Sequence, residues 1–453
     1  MTVIILFLLY GLYYCWVAFP IATGYGAKVL CSSVFVSGRS ESDIKSEDLD
    51  FMPLTFASYK VNFQDSSVTC SMFGFAVKKA IYRKRFGATL VNGMSEEDIR
   101  MQQFPLPMLP RVQTDSVLWP MGDKLIDRFP SGIDSLQVLS AVDKIFNKRE
   151  EAFTNLTRAL IVVYENQIVA ERYAPGFSSQ TRLTGWSMTK SIMGALAGIL
   201  VKQHKLDIAQ PAPVPEWKNV NDQRHSITVS QLLQHTSGLN FDEVYDKPSH
   251  ANKMLFREGN TAAFAASQSL KRTPGENFRY SSGNSNILSR IYRQVIGEHG
   301  YHAFPYEELF YKVGMYNTIL EPDASGTFVG SSFCFATARD WARFGLLYLN
   351  NGQCNNQQIF PVDWVRQSTT PSSAAKQGEY GFQWWLNAGE GNNISNRLFP
   401  ELPADMYFAD GYEGQNIYII PSKKLMVVRL GLTRNRLWGE NGLIKSLIKA
   451  LRD

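Results

Sequence analysis

The chain has 453 residues, 45% of them hydrophobic and 19% charged, which permits a large globular core and sets an expectation of about three domains. Its net charge of +5 is spread without long basic runs, so there is no clustered footprint for a nucleic acid, and none is expected as a partner.

The first 27 residues carry no charge. Thr2 to Thr23 is long enough to cross a bilayer as a helix, which needs about 20 apolar residues. Tyr10, Tyr13, Tyr14 and Trp16 are amphipathic rings that favour membrane interfaces. No Lys or Arg precedes the apolar run, so the usual basic start of a secretory signal is missing. Residues 1–27 therefore read as an uncleaved membrane anchor, with a cleaved signal or a buried helix as the alternatives. The rest of the chain is then expected on the periplasmic or extracellular side. Cys15 lies inside the anchor without a lipobox-like context. In an exported domain Cys31, Cys70, Cys334 and Cys354 could form two disulfides, Cys31–Cys70 and Cys334–Cys354 if pairing is local. Free buried thiols are the alternative.

Residues 28–109 read as an N-terminal extension, in which Val68 to Lys78 alternates as a strand does. Gln102 to Pro120 is proline-rich and reads as an irregular surface segment. Asp134 to Asn147 has helical spacing, and Ala159 to Val169 reads as a hairpin around Glu165-Asn166-Gln167.

The stretch from Trp186 to Val201 holds one charged side chain, Lys190. A helix this apolar is buried on most of its faces, and a buried ammonium is costly unless paired or neutralised. Lys190 should therefore lose its proton more easily than a solvated lysine. Ser187 stands three residues earlier, on the same helix face. The helix N-terminus beside it offers N–H groups to an anion. A nucleophile, a base and an anion site thus arise from one turn. Ser-x-x-Lys occurs four times, but Ser42/Lys45, Ser373/Lys376 and Ser446/Lys449 fall in polar or charged surroundings that read as solvated surface.

Residues 205–350 read as helical pieces and loops, among them a short helix from Ile227 to Leu239 stopped at Gly238. Tyr280 follows a Pro274-Gly275 turn and opens the next helix beside Ser281, Ser282 and Asn284. A phenol near an amine can pass protons, while a core tyrosine is the plainer alternative. Strands are expected at Gln383–Leu386, Met406–Asp410, Asn416–Ile420 and Leu425–Leu430, and a helix at Asn441–Leu451. Strands early, helices in the middle and strands late imply an α+β fold whose sheet is built from both chain ends.

Ser187-x-x-Lys190, then His235-Thr236-Ser237-Gly238-Leu239, then Tyr280-Ser281 resemble, in order and spacing, the serine β-lactamase and penicillin-binding-protein superfamily. The likeness is to its class C-like branch, with esterases and 6-aminohexanoate-dimer hydrolases, and it covers about residues 110–450. It implies a β-lactamase/transpeptidase-like domain over 110–453 with a helical subdomain at about 205–350. It further implies Ser187 as nucleophile, Lys190 as base and Tyr280 as proton donor to the leaving group. The oxyanion would be held by the Ser187 N–H and an N–H within 411–415, which makes Gly411, Tyr412, Gly414 and Gln415 candidates. His235 is expected to be structural. Tyr245, in Phe241–Tyr245, resembles a substrate-contacting tyrosine of the amide-hydrolysing branch.

The sequence departs from that pattern twice. Ser282 stands where the family often has Asn, with Asn284 two residues later. Asp410 stands where a cation often precedes the last strands, and Arg434 is a sequence-near candidate to compensate. An aspartate there would repel the carboxylate of a β-lactam, which favours a small ester or amide as substrate. A true β-lactamase or D-Ala-D-Ala peptidase, and a non-catalytic binding protein on the same fold, are the rival readings. No His-Glu-x-x-His, Walker or Rossmann motif is present, and residues 185–189 lack the second glycine of a nucleophile elbow. No metal or cofactor is implied. Asn155 and Asn393 sit in glycosylation-type triplets.

Overall fold

A computed structural model describes residues 2–147, 155–434 and 438–452. Thr2–Phe35 form a single helix, α1. Its first part is exposed, with Ile4, Leu9, Leu12 and Trp16 all open, and from Ile21 onward it is largely buried. The break expected after residue 27 is absent. Lys28 does not end the helix, because its ammonium is buried against the Glu321 carboxylate and donates to the Ala88 carbonyl at 2.9 Å. A charge that reads as an end of the apolar segment is matched by a partner 293 residues away.

The buried half of α1 packs on an antiparallel sheet of β1 (Ala57–Asn62), β2 (Ser67–Met72), β3 (Phe75–Arg83) and β4 (Gly87–Leu90), in that order. Gly26 permits the approach, since a Cβ there would lie 2.8 Å from the Tyr59 ring of β1 and 3.0 Å from Cys70 Sγ of β2. The single strand expected at 68–78 is instead a hairpin. Phe73 and Gly74 both have positive φ, 50° and 80°, and reverse the chain between Met72 and Phe75. The five cysteines are free, so neither Cys31–Cys70 nor Cys334–Cys354 forms; Cys31, Cys70 and Cys334 are buried among apolar side chains.

The larger sheet is built from both chain ends. After helix α2 (Ser135–Asn147) come β5 (Asn155–Tyr164) and β6 (Gln167–Tyr173), joined at Glu165-Asn166 as the spacing predicts. The helices that follow include α3 (Met188–Lys202), α4 (Val229–Leu233), α5 (Ser282–Ile296) and α6 (Ala338–Leu349). Then come β7 (Trp385–Leu386), β8 (Tyr407–Gly411), β9 (Gln415–Ile420), β10 (Leu425–Thr433) and helix α7 (Glu440–Lys449). The strand order is β7-β8-β9-β10-β5-β6, antiparallel throughout. Side chains alternate along β5. Ala159, Ile161 and Val163 join the core beneath α3 and α6, while Leu160 and Val162 join the core beneath α2 and α7. The helix expected over 227–239 is shorter. The chain leaves it at Gln234 and passes through a left-handed His235, φ 56°, which no continuing helix accommodates.

Candidate active site

Ser187 is the N-cap residue of α3, yet its hydroxyl makes no capping bond to the first turn. A serine at this position normally bonds back to the helix N–H groups. Here Lys190 Nζ donates to Ser187 Oγ at 2.9 Å instead. The residue before it, Trp186, has φ 45°, a left-handed backbone that a bulky residue rarely adopts. Its indole is packed by the Tyr25 ring at 6.1 Å, Phe333 at 5.8 Å and Tyr412 at 5.6 Å, and this packing holds the turn that presents Ser187.

Lys190 is 1% exposed. Besides Ser187 Oγ, its ammonium meets Ser282 Oγ at 3.1 Å and the Ser331 carbonyl at 3.0 Å, all uncharged oxygens. Burial brings its pKa down to about 8, against the opposing pull of the Glu243 and Asp410 charges. Near neutral pH a minor fraction of this amine is therefore deprotonated. The Tyr280 ring lies 4.8 Å from Nζ and is stacked on Trp385 at 5.2 Å.

Ser282, the departure from the Tyr-x-Asn pattern, faces the amine directly. Its hydroxyl donates to Glu243, and its N–H donates to the same carboxylate at 2.8 Å. The Tyr245 hydroxyl also donates to Glu243 and lies 3.5 Å from Ser282 Oγ. A continuous line of hydrogen bonds therefore runs from Ser187 through Lys190 and Ser282 to Glu243. Sequence reasoning singled out Tyr245 in the segment Phe241–Tyr245 and passed over Glu243 two residues earlier. The signal was an acid in a pocket-forming segment of a protein that must buffer a buried amine.

Asn284 does not reach this line. Two residues beyond Ser282 on a helix it points to the other side, where it accepts from Ser237 Oγ at 2.9 Å and lies 3.5 Å from His235 Nδ1. His235 is wedged between Tyr280 and Tyr380, each at 5.0 Å, and burial holds its pKa well below the usual histidine value, so the ring is neutral. It supports the tyrosine from behind.

The four candidates in the β8–β9 turn separate into two pairs. Gly411 abuts the residue two before Ser187, since a Cβ on it would lie 2.2 Å from the Gly185 carbonyl oxygen. Tyr412 packs on Trp186 and lies 5.3 Å from the Tyr245 ring. Gly414 and Gln415 turn away from Ser187. Gly414 has φ 80° and contacts the Arg429 guanidinium, and the Gln415 amide bridges to both backbone groups of Gly431, at 2.6 and 2.9 Å. Arg434 does not compensate Asp410. Its guanidinium is bound to the carbonyls of Glu47 and Asp50 and lies over Phe51, on the extension. Asp410 instead accepts from the Asn416 amide at 2.8 Å.

The site thus joins a serine hydroxyl, an amine that is partly neutral, a carboxylate reached through one hydroxyl, and aromatic walls from Tyr245, Tyr280 and Tyr412. This is the equipment of acyl transfer through a covalent serine intermediate. The family described as Beta-lactamase matches residues 146–436. A 6-aminohexanoate-dimer hydrolase of Paenarthrobacter ureafaciens is 27% identical over 304 residues, covering 60% of this chain and 72% of that protein. Among solved structures, a family VIII carboxylesterase superposes with a TM-score of 0.54 at 15% identity, covering 70% of this chain and 97% of that one. A class C β-lactamase in complex with cefoxitin gives 0.53 at 16% identity, covering 70% of this chain and all of that one (100%). These two likenesses are of fold. By the extent of the family match, the chain belongs to the beta-lactamase family and is a serine hydrolase.

Proposed function

We propose that this protein hydrolyses a small ester or amide through an acyl-enzyme on Ser187. In acylation, neutral Lys190 takes the Ser187 proton as Oγ bonds to the acyl carbon. The oxyanion is met by the Ser187 N–H and by backbone in the 411–412 region. The bond to the leaving oxygen or nitrogen breaks, and that atom leaves with the proton relayed through Lys190 and Tyr280. In deacylation, water gives a proton to the same amine and its oxygen attacks the acyl carbon, releasing the acid and restoring the serine. Ser282 and Glu243 position Lys190 and stabilise its charged form when it holds the proton. Tyr245 and Tyr412 form an aromatic wall suited to an apolar or flat acyl group. The curated relative, named for a 6-aminohexanoate dimer, supports an amide or ester substrate over a β-lactam, as does the aspartate at 410.

We further propose residues 28–109 as an extension, 110–453 as the catalytic domain, and the exposed start of α1 as a membrane anchor that leaves this domain outside the cell or in the periplasm. One helix, Ile4–Phe35, is long and apolar enough to span a bilayer.

The observation that carries the catalytic reading is the 2.9 Å contact between a buried amine, which otherwise meets the Ser282 hydroxyl and the Ser331 carbonyl, and a serine hydroxyl that declines its capping role. The test is covalent labelling with a fluorophosphonate, followed by peptide mass mapping. An adduct on Ser187 that disappears in Ser187→Ala is expected, and an unlabelled wild-type protein would overturn the assignment. Comparing p-nitrophenyl acetate with nitrocefin then separates the substrate classes. Rapid nitrocefin turnover would move the reading to a β-lactamase.

A further inference from the structure

An apolar collar surrounds α1 at the level where the helix leaves the protein body. Phe73, at the tip of the β2–β3 hairpin, lies 6.2 Å from Phe19 of α1 and 6.0 Å from Phe56. Phe73 is 63% exposed, Phe75 74%, Phe56 54% and Met52 66%. These four large apolar side chains, from two separate segments, therefore stand in the open around one helix. Contiguous exposed apolar surface of this kind marks an interaction site.

The hairpin turn adds an independent observation. A two-residue turn with positive φ at both positions favours Asn-Gly or Asp-Gly, because bulky residues are strained there. The chain sets a bulky residue first in the β5–β6 turn too, where Glu165 has φ 46° before Asn166. At β2–β3 it places Phe73 in the left-handed position, φ 50°, followed by Gly74. This turn sets the Phe73 ring at the hairpin tip, where it is exposed. The hairpin is also fastened to the helix, since Thr23 Oγ1 donates to the Ala76 carbonyl at 2.5 Å.

The occupant is set by continuity with the helix. From Thr2 to Phe19 the helix rises about 27 Å, close to the hydrocarbon thickness of a bilayer. Its end at Phe19 is therefore where the membrane interface would lie, and that is the level of the collar. Phenylalanine and methionine side chains of the collar suit insertion at the headgroup–acyl boundary, as the apolar residues of interfacial segments do. We infer that Met52, Phe56, Phe73 and Phe75 form a second membrane contact, dipping into the lipid interface beside α1 and fixing the orientation of the catalytic domain on the bilayer. This rests on the reading of α1 as an anchor. It has a consequence for the site. Tyr25, which stacks on Trp186 next to the nucleophile, lies six residues beyond Phe19, about 9 Å of helix rise. The Ser187 region is thereby held close to the lipid surface.

The test uses the full chain with Cys15→Ser and Cys354→Ser, reconstituted in phosphatidylcholine vesicles. Nitroxide labels are placed by Phe73→Cys, Phe75→Cys, Leu12→Cys and Val220→Cys, the last on an exposed loop away from the collar. Collision with oxygen, which concentrates in lipid, is compared with collision with a water-soluble nickel chelate. Labels at 73, 75 and 12 are expected to favour oxygen and the label at 220 to favour nickel. If 73 and 75 behave like 220 while 12 favours oxygen, the collar does not enter lipid and the anchor stands. If 12 also favours nickel, the anchor reading falls and this inference with it. Protection of 73 and 75 from both reagents, with dimers on cross-linking, would assign the collar to a second copy and overturn the proposal.

Discussion

Among the described residues two lysines are almost entirely withdrawn from water, and they differ in what surrounds them. Lys28, on α1, is 3% exposed and meets the Glu321 carboxylate directly. That carboxylate is further held by the Ser32 hydroxyl, at 3.0 and 3.1 Å to its two oxygens, and by the Ala88 N–H at 2.6 Å. Lys190 is equally buried but meets three uncharged oxygens, with its nearest carboxylate in the hydrogen-bond line one hydroxyl away. A direct counter-charge makes an amine a latch between elements. An indirect one leaves the amine able to exchange its proton. Burial by itself therefore does not separate the two lysines; the chemistry of the first contact does.

The sharpest way to break this contrast is to remove each amine. Lys190→Ala should lower kcat/KM for an acyl ester on the order of 10⁴-fold, measured on protein that still melts cooperatively. Lys28→Met should do the reverse. It leaves Glu321 buried without its cation, so unfolding should become easier by about 3–5 kcal/mol in a denaturant titration, with kcat of the folded protein little changed. Equal loss of activity in both variants would erase the distinction.

A smaller effect is expected at Glu243. Glu243→Gln keeps an acceptor for Ser282 and Tyr245 but removes the charge that raises the Lys190 pKa. The rate should fall about 10²-fold. The acidic limb of the pH–rate profile, where the amine gains the proton it must lack to act as base, is expected with a midpoint near 8 in the wild type and should move to lower pH. A purely structural role would lower the rate without moving that midpoint.

The smallest effect concerns stability. The folded protein releases the Lys190 proton near pH 8, whereas an unfolded lysine holds it to about 10.5. Between these values the unfolded chain binds more protons, so stability should rise with pH across that window. The urea midpoint of the wild type, measured against Lys190→Met, should show this rise. A flat difference would mean that the amine is not perturbed by folding.

Parts of this arrangement were legible in the residues. Lys190 stood alone in an apolar helix, and the β5–β6 hairpin announced itself through Glu165-Asn166. The late strands followed from their apolar runs, and so did the union of both chain ends in one sheet. Other parts were not. Hydropathy ends the first segment at Lys28 because it counts a charge and cannot see Glu321. Phe73 conceals a turn, since nothing in an aromatic residue signals positive φ. Asn284 looked like a substitute for the missing family asparagine, but helical geometry gives the place beside Lys190 to Ser282. Glu243 was unremarkable in sequence because its role depends on a contact 39 residues distant.

Local periodicity and composition thus determined which segments are helix or strand and which amine is solitary, because those properties depend on neighbours along the chain. Which solitary charge receives a carboxylate, and at what remove, was decided by packing alone. Electrostatic free energy depends on distances in space, and only the folded sheet and helices bring residues 28 and 321, or 190, 282 and 243, within a few ångströms of each other.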